Sequence, residues 1–395
     1  MRLLLVADTF PPLRTSGAVQ LRDLAREFVR QGHELTVLLP SVEISTPWQV
    51  DDFDGARVVR LKALPTKDIG YVRRTISEFL MPFLMRRNLG KSPIAESGWQ
   101  GVIWYAPPIF HGPLVNKVKE ASGCRGYLII RDIFPEWAVD MGLMGRGLPY
   151  RFFNAVARYQ YSIANVIGVQ TRGNLGYFRK WESQPGRQLE VLQNWLGPTP
   201  QAHCSIVIKK TSLAQRKIFV YAGNMGVAQG MQILLGLADR MRTRRDVGFL
   251  FVGRGSEAKR LAADALARGL DNVLFRDEIE PDEIPGLYSQ CHIGLVALDP
   301  RHKSHNIPGK FLTYLQSGLP VLANVNAGND LAALIRAEKV GQVCEDNDID
   351  NLTELADILL EQIECDSELS ARCRQLFQRQ FSAAQAAKQI VAALA

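Results

Sequence analysis

The residues most suited to chemistry in this sequence precede a predicted helix that starts at Gly309. Pro308 has the fixed φ that suits a first helical turn, which places Lys310 in that turn beside backbone N–H groups without helical partners. A cation at a helix N-terminus forms a binding site for a diphosphate. The alternative is a solvated surface lysine. His302 and His305 come just before, but without further close Cys or acidic partners they predict no metal site.

Two glycine-rich turns follow other predicted strands of the same half. The first contains Gly223 and runs to residue 230, and the second is the run VGRG at 252–255, which contains Arg254. Glycines let backbone N–H groups approach an anion, and a following helix N-terminus favours negative charge. We interpret the first turn as a pyrophosphate-facing loop, and Arg254 as a group that reaches a phosphate or a base. Spacing alone leaves open a tight structural turn and a solvated loop arginine.

Polar residues also follow two predicted strands of the N-terminal half. Asp8 follows the first strand, and Gly17 lies at the start of the first helix. Arg131, Asp132 and Glu136 follow a strand that ends at residue 130. Such groups at the carboxyl edge of a sheet are suited to a polar substrate. The alternatives are that Asp8 caps a turn, and that Arg131 pairs with a neighbouring acid to stabilise its loop.

A basic and apolar segment runs from Tyr71 to Lys91 and reads YVRRTISEFLMPFLMRRNLGK. A basic amphipathic segment of this kind binds an anionic membrane surface, or it is a core-packing helix with a solvated basic face. Residues 1–200 hold 25 Lys/Arg and 17 Asp/Glu, a net charge of +8, whereas residues 201–395 hold 22 and 23. We therefore expect only the N-terminal half to face an anionic partner. Nucleic acid is not expected, because no basic stripe with regularly spaced aromatics and no binding motif is found.

Alternating strands and helices must position these segments. Predicted strands of the first half lie at 3–7, 35–39, 58–61, 101–105, 126–130, 165–169 and 189–192, and its first predicted helix at 17–31. Segment 197–216 breaks the alternation and is typical of a linker. Predicted strands then follow at 218–222, 248–252, 272–275, 293–297 and 321–323, with helices at 231–242, 256–268, 281–290, 309–317, 329–337 and from about 350 to 394. Short apolar strands separated by helices predict two doubly wound, parallel-sheet α/β domains. Ligands of such sheets bind beyond the carboxyl ends of the strands, which predicts a cleft between the domains.

Composition excludes several classes of protein. The chain has 395 residues, 47% of them hydrophobic and 22% charged, which is ordinary for a globular protein and wrong for a disordered one. No apolar stretch approaches the ~20 residues that span a bilayer, and the N-terminal residues are typical of a buried strand rather than a signal peptide. The six cysteines include no CxxC pair and indicate reduced thiols. A cytoplasmic protein is therefore expected.

At these motifs the chain resembles the retaining glycosyltransferases of the GT-B fold, family 4. The resemblance covers nearly the whole length. It rests on the following runs: DTFPP after the first strand, RDIFPE at 131–136, QNW at 193–195, YAGN at 221–224, VGRG at 252–255 and IPGKFLTYLQSGLPVLA at 307–323. The last run is the most specific, because it is similar to the family's donor-site helix and the strand after it. Within the family the chain looks closest to bacterial O-antigen or capsule enzymes that transfer an N-acetyl-L-fucosamine-like sugar.

The resemblance implies transfer from a UDP-sugar to a polyprenyl-diphosphate-linked saccharide in O-antigen or capsule polysaccharide assembly, peripherally at the inner face of the cell membrane. It implies two Rossmann-like domains: 1–196 for the acceptor and 217–380 for the nucleotide-sugar, with 197–216 as linker and helix 381–395 returning to the first. It implies no metal and no other cofactor. The residues implied to bind the donor are Gly17, Gly223, Asn224, Gln229, Arg254, Asn306, Pro308, Gly309, Lys310 and Thr313. Those implied to bind the acceptor are Asp8, Arg131 and Asp132, and the catalytic candidates are Asp132, Glu136, Lys310 and His305.

The chain departs from the family at four positions. Family members commonly have Arg and Lys where this chain has Asn224 and Gln229, and two glutamates where it has His305 and Thr313. The sugar and ribose contacts of those acids are therefore not expected in their usual form. The diphosphate charge must also be met elsewhere, and the candidates for this are Arg254 and Lys310.

The mechanism implied is a front-face, retaining transfer. The departing diphosphate oxygen takes the acceptor proton, Lys310 and Arg254 stabilise the developing charge, and Asp132 or Glu136 orients the acceptor or acts as a base. Two alternatives are a nucleotide-sugar epimerase of the same fold and a non-catalytic membrane-associated scaffold. A nicotinamide dehydrogenase is disfavoured, because DTFPPLRTSG stands where GxGxxG would follow the first strand.

Overall fold

The computed structural model describes residues 1–13, 15–66, 69–198, 203–299 and 307–395. The chain forms two compact units, the N-terminal unit of Met1–Gly197 with Ala383–Ala395 and the C-terminal unit of Pro198–Ser382. The segment predicted as a linker begins at this boundary. Its described residues 203–216 belong to the C-terminal unit, where the side chain of Leu213 is fully buried.

The N-terminal unit is built on one eight-stranded sheet in the order β3-β4-β2-β1-β5-β6-β7-β8. Its strands are β1 (Arg2–Val6), β2 (Glu34–Ser41), β3 (Trp48–Phe53), β4 (Ala56–Lys62), β5 (Gly101–Ala106), β6 (Arg125–Ile130), β7 (Val166–Val169) and β8 (Gln188–Val191). The pairs are parallel except at the edge, where β3 runs antiparallel to β4. The prediction of a wholly parallel sheet is therefore wrong at this edge. A turn at Asp54 and Gly55, both with positive φ, closes the hairpin.

Helices cover both faces of this sheet. They are α1 (Ser16–Arg30), α2 (Tyr71–Leu89), α3 (Gly112–Ser122), α4 (Glu136–Asp140), α5 (Leu148–Ser162) and α6 (Leu175–Glu182). Leu4 and Val6 of β1 pack into the core on one face, and Leu3 and Leu5 pack into the core on the other face, with Phe28 of α1. Because both faces are buried, the strand is apolar at successive positions rather than at alternate ones.

The C-terminal unit is built on a six-stranded sheet in the order β11-β10-β9-β12-β13-β14, with parallel pairs throughout its described strands. The strands are β9 (Lys217–Ala222), β10 (Val247–Val252), β11 (Val273–Arg276), β12 (Ile293–Ala297), β13 (Val321–Asn324) and β14 (Gly341–Cys344). The helices are α7 (Gln232–Arg240), α8 (Ala258–Ala267), α9 (Ile284–Tyr288), α10 (Gly309–Ser317), α11 (Asp330–Glu338), α12 (Ile349–Cys365) and α13 (Leu369–Leu376). The helix predicted at 281–290 is shorter than expected, since Pro281–Glu283 forms a separate 3-10 turn before α9.

The last helix, α14 (Ala383–Leu394), belongs to the N-terminal unit. Ala387, Ile390 and Leu394 join the core on the α1 face of the sheet. At the point of entry, the backbone N–H of Ala383 donates to the carbonyl oxygen of Leu196 at 2.9 Å. The N-terminal unit is thus completed by the end of the chain.

Candidate functional site

The ammonium group of Lys310 lies at the carboxyl edge of the C-terminal sheet. Lys310 is the second residue of α10, which follows β12. The residue as a whole is half-buried, but its Nζ packs 4.5 Å from the centroid of the Tyr221 ring, at the end of β9. Burial lowers the pKa of Lys310 to about 8. The alternative of a solvated surface lysine is therefore wrong.

Two loops rich in glycine surround this lysine. A Cβ atom on Gly223 would lie 3.5 Å from the Nζ of Lys310, so the lysine contacts the loop after β9 directly. The N–H of Gly223 donates to the carbonyl oxygen of Val252 at 2.9 Å, and that of Met225 donates to Arg254 at 2.7 Å. Gly253 has a φ of 141°, and a Cβ atom there would overlap the carbonyl oxygen of Gly223. Glycine is thus required for the two backbones to approach each other.

The polar side chains of the first loop bind to each other. The Oε1 of Gln229 accepts from the backbone N–H of Gly226 at 3.0 Å and from the Nδ2 of Asn224 at 3.4 Å. The Tyr221 hydroxyl donates to the Asn224 carbonyl oxygen at 2.6 Å. These contacts give Asn224 and Gln229 a role in the shape of the loop, and their predicted role in donor binding stays a prediction.

Arg254 lies on the second loop with its side chain 80% exposed, and its Nε lies 3.0 Å from the Oε2 of Glu278. The cation is therefore accessible but shared with an acid, and this ion pair could not be predicted from the loop sequence. An exposed pair of this kind costs little to break, so the guanidinium remains able to meet a second anion.

The remaining predicted donor residues lie at or near the start of α10. Pro308 is the N-cap of the helix, and Gly309 is the first helical residue, as predicted. The Thr313 hydroxyl donates to the Lys310 carbonyl oxygen at 2.9 Å, which is a bond within the helix. His305 and Asn306 lie outside the described residues.

In the N-terminal unit, Arg131 lies below the carboxyl edge of the sheet. It is buried, and its guanidinium packs 5.6 Å from the centroid of the Trp195 ring. Burial lowers the pKa of Arg131. Tyr105, which accepts a hydrogen bond from Arg131, and the Asp132 carboxylate act in the opposite direction and raise it. Burial also raises the pKa of Tyr105, opposed by Arg131 and reinforced by the charges of Asp132 and Asp8. Arg131 thus contacts Tyr105 directly, and the charges of the other two predicted acceptor residues, Asp132 and Asp8, act on the same tyrosine.

The sequence did not point to Tyr105, nor to the side chains that fix it. The Tyr105 hydroxyl donates to Gln20 at 3.2 Å, and Gln20 and Gln170 both donate to the Oδ1 of Asn194, at 3.1 and 2.8 Å. The indole N–H of Trp195 donates to the Gln20 carbonyl oxygen at 2.8 Å. Two members of the QNW run therefore hold the network that supports Arg131. The available signal was a tyrosine at the end of a buried strand.

Gly17 lies against the same tyrosine. A Cβ atom on Gly17 would lie 3.2 Å from both the Tyr105 hydroxyl oxygen and the Cγ2 of Thr9. This distance is tighter than an ordinary contact, so the start of α1 approaches the end of β5 only because residue 17 has no side chain. The predicted role of Gly17 in donor binding stays a prediction.

Glu136 is the first residue of α4, and its carboxylate is held by tyrosines. Its Oε1 accepts a hydrogen bond from the Tyr150 hydroxyl at 2.9 Å. The pKa of Tyr177 is raised first by burial, then by Tyr161 and by the Glu136 carboxylate. The Oε2 of Glu136 is itself buried. The carboxylate is thus held by a tyrosine hydroxyl and partly withdrawn from solvent.

The basic segment predicted at 71–91 forms α2, and its interpretation as a core-packing helix holds in part. Its predicted binding to an anionic membrane surface stays a prediction. Met81 and Met85 are buried in the core, as expected of a core-packing helix. Six apolar side chains of the same helix are exposed, namely those of Tyr71, Val72, Ile76, Phe79, Leu80 and Phe83. Neither α2 nor any other helix of the described residues is long and apolar enough to cross a membrane.

Comparisons with known proteins agree with this architecture. Residues 216–362 match the family described as "Glycosyl transferases group 1". The chain is 23% identical over 250 residues to "Probable glycosyltransferase WbjE" of Pseudomonas aeruginosa, a match that covers 62% of each chain, or less than two thirds of that relative. It is also 23% identical over 365 residues to "Putative colanic acid biosynthesis glycosyl transferase WcaI" of Escherichia coli K12, covering 87% of this chain and 86% of that one.

Solved structures resemble the whole chain. The sucrose-phosphate synthase of Thermosynechococcus elongatus has a TM-score of 0.70 at 16% identity, covering 99% of this chain and 98% of that one. Anabaena Alr3699/HepE in complex with UDP has a TM-score of 0.67 at 14% identity, covering 100% and 99%. The predicted fold class, two α/β units as in GT-B glycosyltransferases, is confirmed. The prediction of a glycosyltransferase enzyme is confirmed at the level of the group 1 domain over residues 216–362.

Proposed function

We propose that the protein is a retaining glycosyltransferase that moves a sugar from a UDP-sugar to a lipid-linked saccharide in the assembly of an O-antigen or capsule polysaccharide. The single observation that carries the proposal is the buried ammonium group of Lys310 at the start of α10. Two comparisons support its direction. The relative WcaI is named for colanic acid biosynthesis, and Anabaena HepE forms complexes with UDP and with UDP-glucose. We extend the proposal to an N-acetyl-L-fucosamine-like sugar on the resemblance described above.

The donor diphosphate is proposed to bind in the C-terminal unit. Burial that lowers the pKa of Lys310 disfavours its charge while no anion is present. A diphosphate beside Nζ would offset this cost, and the first N–H groups of α10 would add favourable dipoles. Gly223 contacts Nζ without a side chain, which leaves the backbone of its loop open to phosphate oxygens. Arg254 would supply a second, exposed cation.

For the chemical step we propose front-face transfer with retention. The acceptor hydroxyl oxygen forms a bond to the anomeric carbon on the side from which the diphosphate leaves, while the bond from that carbon to the diphosphate oxygen breaks. The acceptor proton passes to the departing diphosphate oxygen. Lys310 and Arg254 stabilise the charge that develops on this leaving group.

The acceptor is proposed to bind in the N-terminal unit at Asp8, Arg131 and Asp132, whose charges act on Tyr105 and which we call the acceptor cluster. Asp132 or Glu136 would orient the attacking hydroxyl or accept its proton. The tyrosine partners of Glu136 favour a fixed carboxylate, suited to orientation, whereas Asp132 lies with the acceptor cluster. Asp132 is therefore the first acid to replace when testing this step.

Membrane attachment is proposed through α2, which would keep the enzyme peripherally at the inner, cytoplasmic face of the cell membrane. Its exposed apolar residues and the basic residues at both of its ends are suited to an anionic bilayer surface. The Ser variant of Arg73, Arg74, Arg86 and Arg87 should lose binding to anionic vesicles. The control replaces four arginines of the C-terminal unit with Ser, at positions 240, 242, 245 and 268. If both variants bind vesicles equally, α2 is not the docking segment.

The proposal is tested in two stages. Purified protein is first screened by thermal shift against UDP-, GDP- and dTDP-sugars, because a bound ligand raises Tm by mass action. The donor that binds is then incubated alone and with a lipid-linked saccharide, and NMR reads the anomeric configuration of the product. Retained configuration in an acceptor-dependent product supports the proposal. Donor conversion without acceptor would identify an epimerase, and donor binding without any turnover would identify a scaffold.

A further inference from the structure

A cavity of about 670 Å³ lies entirely within the N-terminal unit. It opens at the carboxyl edge of the sheet, where Asp8 follows β1 and Pro107 follows β5. The first turns of α2 form one wall, and α4 with the loop after it forms another. The volume falls within the ~300–1,000 Å³ of pockets that enclose small-molecule ligands.

The lining of this cavity is dominated by aromatic and aliphatic side chains. The ring centroids of Phe134 and Phe153 lie 5.3 Å apart, those of Phe110 and Phe153 6.4 Å, and those of Phe134 and Trp137 6.1 Å. The charged lining residues of α2 are Arg74 and Glu78, which neutralise each other at 2.8 Å. Apart from this pair, Asp8 is the charged residue of the lining, and it lies at the carboxyl edge of the sheet. The aromatic remainder of the lining favours a ligand that is itself apolar.

The walls of the cavity continue onto the surface as exposed apolar residues. Tyr71, at the start of α2, is 89% exposed, and Leu143, in the loop after α4, is 71% exposed. Both line the cavity, and so does Trp137, which is 42% exposed. Val72 and Ile76 extend the apolar surface along the outside of α2. An apolar chain could therefore pass along these residues from a bilayer that contacts α2 into the cavity.

We propose that this cavity binds the isoprenoid chain of the lipid-linked acceptor next to its diphosphate, and so positions the saccharide. The proposal rests on the proposed function for the identity of the acceptor. Its geometric basis is that Asp8, a member of the proposed acceptor cluster, also lines the cavity. A chain in the cavity thus has its polar end beside Asp8, at the carboxyl edge of the sheet, where the acceptor cluster is proposed to bind the saccharide.

An isoprenoid chain fits this lining better than the two other ligands of similar size. A saccharide needs several hydrogen-bonding groups, but Phe110, Phe134 and Phe153 offer none. A peptide strand would leave its backbone N–H and C=O groups unpaired against these rings. A chain of methyl-branched alkene units buries apolar surface against all three rings and loses no hydrogen bond.

Binding of the chain can be measured without any glycosyl transfer, because Trp137 is the tryptophan that lines the cavity among the described residues. The probe is dodecyl phosphate with bromines on its chain, used below its micelle concentration as a quencher of tryptophan fluorescence. We expect saturable quenching that geranylgeranyl phosphate relieves by competition. Bromoethyl phosphate, which has the head group without the chain, should not quench. Trp137→Phe keeps the aromatic wall and should abolish the saturable component.

Two variants and a matched control locate the chain. Thr75 lines the cavity from α2, whereas its neighbour Ile76 lies on the same helix outside it. Thr75→Phe should weaken the probe about tenfold, the loss expected when about two methylene groups stay in water. Ile76→Phe adds a ring outside the cavity and should leave affinity unchanged. Leu143→Asp places a charge at an exposed position of the mouth, where folding is not at risk, and should also weaken binding.

The outcomes separate this proposal from the proposed function. Equal effects of Thr75→Phe and Ile76→Phe would place the chain on the outer surface of α2 and overturn the proposal. Competition by a free saccharide but not by geranylgeranyl phosphate would make the cavity a sugar site and overturn it too. If no UDP-sugar is turned over but saturable chain binding persists, the proposed function fails and the cavity assignment stands. If transfer proceeds with an unchanged acceptor KM in Thr75→Phe, the assignment fails and the proposed function stands.

Discussion

Replacing Lys310 with Met is the sharpest test of the donor site. Methionine keeps the length and the apolar stem of the side chain but removes the charge. Burial lowers the pKa of Lys310 from 10.5 to about 8, so holding the charge in the empty site costs about 3 kcal/mol. The Met variant avoids this cost and loses the cation–π contact with Tyr221, worth about 0.5–2 kcal/mol. Its Tm should therefore stay the same or rise.

Activity should change in the opposite direction. If the Lys310 ammonium stabilises the departing diphosphate, its removal should lower turnover by ~10²–10³-fold, as the loss of a key oxyanion contact does. The assay measures kcat with saturating UDP-sugar and lipid-linked acceptor, and Tm is measured on the same preparations. Together these readouts separate a catalytic role from a structural one.

The matched control is Lys259→Met. Lys259 is the second residue of α8, the same position that Lys310 has in α10, but it is exposed. This variant should keep full turnover. The reasoning is refuted if Lys310→Met turns over at a near-normal rate, or if it loses activity only in proportion to a lower Tm.

Four further outcomes follow from the geometry. If the charged form of Lys310 is the active one, kcat/KM should fall about fivefold between pH 8 and pH 9, and the residual activity of Lys310→Met should lack this decline. The unfolded chain binds more protons than the native one between pH 8 and about 10.5, so this residue makes stability rise with pH in that window. Gly253→Ala should lower the free energy of unfolding by about 3 kcal/mol or more, because the new Cβ would overlap the Gly223 carbonyl oxygen. A thermal melt measures this loss. An unchanged Tm would show that the two loops move apart freely. Glu278→Gln frees Arg254 from its ion pair and should tighten UDP binding by up to about fivefold in calorimetry, whereas unchanged affinity would remove Arg254 from the donor site.

Much of the fold could be predicted because strands that are buried on both faces have continuous apolar sequences. The strands β1, β5, β6 and β9 are of this kind, and their positions were predicted to within about one residue. The edge strand β3 was missed, since most of its side chains are polar or exposed and it has no apolar period. Its signal was the turn at Asp54-Gly55, a sequence that favours two-residue hairpins.

The candidate site could be predicted only where it depends on local sequence. Pro308 predicts the start of α10, and the position of Lys310 in the first turn follows from it. The burial of Lys310 could not be predicted, because Tyr221 and Gly223 lie nearly 90 residues earlier in the chain. The network around Tyr105 was missed for the same reason, since its partners are 85 and 174 residues apart in sequence. Propensity and spacing carry no information on such distant neighbours.

The hydrogen bond between Ala383 and Leu196 has a consequence for protein engineering. The N-terminal unit is made of two chain segments, and the Ala383 N–H of one lies 2.9 Å from the Leu196 carbonyl oxygen of the other. The C-terminal unit is therefore an inserted domain. Deleting the C-terminal unit and joining residue 197 to residue 383 through a short glycine linker should leave an N-terminal unit that folds independently and keeps α14. Truncating the chain after residue 197 would instead remove α14 from the core of the N-terminal unit. The proposed lipid-chain cavity could then be studied on the isolated N-terminal unit, and the proposed nucleotide site on the isolated C-terminal unit.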